Sequence, residues 1–156
     1  MKTERKATTV LLVDDERAYR QAVSDVLNSQ GYTVVQAGSA AEALQVLNIM
    51  TPELIMLDVM MPEVDGLTLL RQLSVEPRFL SVPIVMASAS AQAADRWSAW
   101  ERGASAYLAK PFTFDEVTSL VDYLLAPSDS AEASAEASTE ASAEVPFEML
   151  HPTALM

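Results

Sequence analysis

The chain has 156 residues, enough for one ordinary domain with a well-filled core and too few for two full ones. Half of it is hydrophobic, yet no stretch approaches the roughly 20 apolar residues of a membrane span, and the absence of cysteine excludes disulfides and thiol chemistry. A net charge of −12 without a clustered Lys/Arg patch argues against direct DNA binding, because DNA binders draw their affinity from phosphate contacts.

The first six residues lead into a strand-length apolar run and not into a signal-peptide cleavage region, so a cytoplasmic protein with no membrane contact is expected. That run, residues 9–13, reads as a strand and ends abruptly in Asp14 and Asp15. Tyr19, Ala22, Val23, Val26 and Leu27 then recur at helical spacing, and Gly31 sits where that helix should stop. A second strand at 33–37 precedes Ser39, a candidate cap for a helix carrying Ala40, Ala43, Leu44 and Leu47. The third strand, 54–57, runs into Asp58, and Leu67, Leu70 and Leu73 mark the next helix.

Strand 83–87 ends in Ser88, and an alanine-rich helical stretch with Trp97 and Trp100 follows. Strand 105–109 ends in Lys110 and Pro111, and Val117, Leu120, Val121, Leu124 and Leu125 form the last stripe. Five alternating units predict an α/β three-layer sandwich, (βα)5, with helices on both faces of a parallel sheet. The flavodoxin-like order 2-1-3-4-5 would set the ends of strands 1 and 3 side by side at the switch point, where such folds bind ligands.

Past Pro127 the character changes. Residues 130–144 repeat Ala, Glu and Ser with a period of four, offer nothing to bury, and read as disordered. Residues 128–156 carry six acids (Asp129, Glu132, Glu136, Glu140, Glu144 and Glu148) and no base, half of the net charge. Apolar side chains return at 145–156, either an untidy terminus or a tethered docking peptide. The division expected is therefore 1–127 as the domain and 128–156 as an acidic tail.

Asp14, Asp15 and Asp58 gathered at one sheet edge repel one another unless a cation or proton is shared. Hard oxygen donors of this kind suit Mg²⁺, while the single histidine, His151, makes a histidine metal centre unexpected. Ser88 and Lys110 would add a hydroxyl and an ammonium for an anion. In this pattern the chain resembles a response-regulator receiver domain of chemotaxis and two-component signalling. The matching residues are Asp14-Asp15, Asp58, Met61-Pro62, Asp65-Gly66, Ser88-Ala89, Gly103-Ala104, Tyr107 and Lys110-Pro111-Phe112, over residues 8 to 125.

The resemblance implies that Asp58 accepts a phosphoryl group from a histidine kinase or a histidine phosphotransfer protein. It implies Asp15, Asp58 and the backbone carbonyl of Met60 as Mg²⁺ ligands, with Asp14 helping directly or through water. Lys110 would pair with a phosphoryl oxygen, and Ser88 would be the switch hydroxyl. Tyr107 would turn inward behind it and alter the face of the fourth helix, fifth strand and fifth helix. Pro111 would follow a cis peptide. Met60 and Ser90 stand where the family sets the rate of phosphoryl loss; neither offers a group to orient water, so a long-lived phosphorylated state is expected. Trp97 and Trp100 fall on the output face, as core, partner contact or homodimer contact.

The leading expectation is thus a phosphorylation-dependent signalling module, either an adaptor or a phosphorelay intermediate, and not an enzyme turning over an external substrate. A phosphorylation-independent binding platform is an alternative. A haloacid-dehalogenase-type phosphatase is a weaker one, because Asp58-Val59-Met60 lacks the second aspartate two residues after the nucleophile.

Overall fold

The computed structural model describes residues 8–61, 63, 65–88 and 103–126. Pro62, Ala89, Ser90, Trp97, Trp100 and the tail from Pro127 lie outside the described residues, and with them the expectations placed on that helix and tail. Five short apolar runs form strands: β1 (Thr8–Val13), β2 (Tyr32–Ala37), β3 (Leu54–Asp58), β4 (Ile84–Ser88) and β5 (Ala106–Ala109). All pair in parallel in the order β2-β1-β3-β4-β5, the flavodoxin-like arrangement.

A parallel sheet is buried on both faces, which is why its strands read as continuous apolar runs and not as alternation. Successive residues nevertheless serve different cores. Leu11, Val13, Ile55, Leu57, Met86 and Tyr107 point into one cluster, shared with α2 (Ala40–Ile49) and α3 (Gly66–Ser74). Val10, Leu12, Met56, Val85 and Leu108 point into the other, shared with α1 (Arg17–Ser29) and α4 (Phe114–Leu124). The helix labelled α4 corresponds to the fifth helical stripe of the sequence.

Helix ends follow local chemistry. Gly31 adopts φ 102 just past α1, a left-handed conformation that glycine enters without a Cβ penalty. The Ser39 hydroxyl accepts from the Glu42 amide to start α2, and Asp65 does the same for α3 through Thr68. A capping box opens α4: Thr113 accepts from the Glu116 amide while the Glu116 carboxylate accepts from the Thr113 amide. A single 3₁₀ turn, Pro77–Phe79, links α3 to β4 and contributes the buried Phe79. Two stripe positions differ from expectation. Leu44 is 37% exposed on α2, and α3 buries Leu69 beside Leu70 and Leu73 while Leu67 is only partly covered.

Candidate functional site at the carboxyl edge of the sheet

Register fixes what meets at this edge. Val13 pairs with Leu57, Asp58 with Ala87, and Ser88 with Ala109, so the residues following each strand stand level. The structure brings together Asp14, Asp15 and Asp58, each offering a carboxylate oxygen within 4.8 Å of the others. Asp14 is buried: its amide donates to the Ala37 carbonyl at 3.0 Å and one carboxylate oxygen accepts from the Glu16 amide at 2.9 Å. Asp15 is exposed, leaving that side of the cluster open to water. The Arg20 guanidinium, one turn into α1, donates to the Asp14 carbonyl at 2.6 Å and to Gln36 at 2.9 Å, tying the β1–α1 turn to β2.

Lys110 answers the acids. Its ammonium is 2.8 Å from Asp14 Oδ2 and 3.7 Å from Asp58 Oδ2, and its amide donates to the Ser88 carbonyl at 2.8 Å. The Lys110–Pro111 peptide is cis. Ser88 is fully buried behind the acids at the end of β4. Tyr107 is buried at 2% exposure within the α2/α3 core, deeper than a half-covered strand tyrosine. The Met60 side chain is 64% exposed, and its amide donates to Asp58 Oδ1 at 3.2 Å.

Burial raises the Asp58 pKa from an ordinary 3.8 to about 6, reinforced by the Asp14 charge and, more weakly, by Asp15; Lys110 and the Met60 N–H pull it partly back. Two carboxylates beside a third, with one lysine as counter-charge, are a donor set for a hard divalent cation that keeps part of its water.

Two features escaped sequence reasoning. Gly66, seen only as part of a motif, sits against the backbone of Asp58: a Cβ there would come within 2.1 Å of the Asp58 carbonyl oxygen. Tyr19, read as core by its spacing, is only partly buried and lies beneath the Lys110 ammonium, 4.3 Å from the ring centroid. An aromatic residue one turn after an acidic pair was the available signal, and it is a weak one.

Residues 10–122 match the response regulator receiver domain, and the chain belongs to that family. It is 40% identical over 119 residues to response regulator Rre1 of Synechocystis, an overlap of 76% of this chain and 52% of that protein. The DNA-binding dual master transcriptional regulator RpaA of the same organism is 38% identical over 122 residues, 77% of this chain and 50% of that one. The chain thus spans about half the length of the curated relatives it matches. Among solved structures it is similar to the chemotaxis response regulator CheY4 of Vibrio cholerae, with TM-score 0.73 and 28% identity over 77% of this chain and all of that one. Among the described residues no helix is long and apolar enough to cross a membrane.

Proposed function

We propose that this receiver domain is a phosphorylation-dependent signalling module in which Asp58 is the phosphoacceptor. The observation that carries the reading is the approach of Lys110 to Asp58 beside three mutually close carboxylates at the switch point. An ionised Asp58 oxygen attacks the phosphorus of a phosphohistidine on a histidine kinase or phosphotransfer protein. The new O–P bond forms as the P–N bond breaks, and the leaving imidazole takes up a proton. Such transfer depends on positioning and charge neutralisation more than on acid–base help.

Asp14, Asp15, Asp58 and the Met60 carbonyl are the residues that would hold Mg²⁺, which neutralises charge on the transferred phosphoryl group. Lys110 stands where it can pair with a phosphoryl oxygen, and the Ser88 hydroxyl and Tyr107 ring carry the change toward β5 and its flanking helices for protein output. The module signals and does not turn over an external substrate. The charge of −12 argues against DNA contact by these 156 residues, although one relative is named for DNA binding and this chain covers half of it.

Intact mass after incubation with acetyl phosphate and Mg²⁺, beside Asp58→Asn, tests the reading. A single phosphoryl adduct that requires Mg²⁺ and disappears in the variant is expected. No adduct on the parent chain from either acetyl phosphate or a phosphorylated histidine phosphotransfer protein would favour a platform that works unphosphorylated.

A further inference from the structure

We propose that Tyr19 is the positioning residue for Lys110, its ring forming the wall that keeps the ammonium against Asp14 and Asp58. The inference rests on the phosphoacceptor reading for its kinetic consequence, but its geometry stands without it.

A lysine ammonium is a compact charge on a flexible four-carbon stem, and nothing in its chemistry fixes a direction. The Asp14 contact at 2.8 Å satisfies one of its three donors, and Asp58 at 3.7 Å lies beyond hydrogen-bond distance. Among the described residues the Tyr19 face, 4.3 Å from the nitrogen, is a third neighbour, within the range where a ring quadrupole attracts a cation. The ring is itself braced. Phe112, two residues past the lysine, meets it edge-on at 5.5 Å and 70°, so the segment 110–112 closes around Tyr19 from two sides. Because Tyr19 stands in the first turn of α1, the same helix whose Arg20 donates to the Asp14 carbonyl, one helix contacts both the Asp14 turn and the lysine cation.

Among the described residues the buried Tyr19 hydroxyl has no hydrogen-bond partner. Burial, then the Asp14, Asp58 and Glu16 charges, push its ionisation upward, so the phenol stays neutral and meets the ammonium through its ring quadrupole. The contact therefore depends on the ring and not on the hydroxyl.

Three measurements test this on the full chain. First, in the unphosphorylated protein, Lys110 ε-methylene protons should show an upfield ring-current shift that survives in Tyr19→Phe and vanishes in Tyr19→Leu. Second, the rate of phosphorylation by acetyl phosphate should fall about three- to tenfold in Tyr19→Leu, the size of one partly desolvated cation–π contact, and Tyr19→Phe should restore most of it. Third, in a Lys110→Ala background Tyr19→Leu should cost nothing further, because the coupling runs through the lysine. A general packing role would slow both backgrounds alike and overturn the proposal. A Phe variant as slow as Leu, assigning the effect to the hydroxyl, would also overturn it, as would an unshifted Lys110 in the parent protein. A parent chain that shows the shifted lysine yet takes no phosphoryl group counts against the phosphoacceptor reading alone.

Discussion

Burying Asp58 beside Asp14 raises its pKa to about 6, so the folded chain holds a proton there that the unfolded chain, with an ordinary 3.8, has already released. Proton uptake on folding makes stability fall as pH rises through that window, and above it the full cost of a buried, repelled charge remains. Asp58→Asn keeps the shape and removes the charge. Without divalent metal at about pH 7.5 the variant should be more stable by roughly 1–2 kcal/mol, and the gap should close below about pH 4. Urea unfolding at the two pH values checks this; a less stable variant at the higher pH would mean that Lys110 and the Met60 N–H outweigh burial. The acids themselves were legible in the sequence because a strand ending in a carboxylate is a local pattern. Tyr19 was not, since its contact with Lys110 depends on how α1 rotates against a loop from the far end of the domain.

Strands were legible within a residue at either end, because the buried strands β3 and β4 leave apolar runs too short for a helix and sharply bounded by polar residues. The β2 strand at the sheet edge, only partly covered, was read from its β-branched residues. Helices were placed well and rotated less well. Leu44 belongs to its stripe by spacing yet lies 37% exposed, and the buried Leu69 falls between stripe positions, because α3 faces both the sheet and the 3₁₀ turn. The capping box at Thr113 and Glu116 was readable as Thr-x-x-Glu ahead of an apolar stripe, and went unused in the sequence reading. Thr113→Ala removes one of its two bonds and should cost about 1 kcal/mol, with Thr113→Ser losing much less. Denaturant midpoints at constant m-value would show it; a change in m would instead signal fraying of all of α4.

At the scale of the molecule, two apolar clusters of similar depth share a single sheet, and the charged site is confined to one edge. A ligand that binds only the folded form stabilises the whole by mass action. Mg²⁺ at about a hundredfold over its dissociation constant should add about 2.7 kcal/mol. Protons compete for the same carboxylates, so affinity should be about tenfold weaker at pH 5 than at pH 7. Thermal shifts across a Mg²⁺ titration at both pH values read this directly, and a pH-independent affinity would place the cation away from Asp58. The contact between Gly66 and the Asp58 carbonyl, where a Cβ would sit at 2.1 Å, has its own consequence for how such a chain can diverge. If Asp58 is the phosphoacceptor proposed above, its buried charge serves the chemistry at some expense to folding, whereas Gly66 serves the packing of the backbone against Asp58. In a library screened for cellular abundance, substitutions at 58 should survive and those at 66 should vanish; only a screen for signalling would remove both.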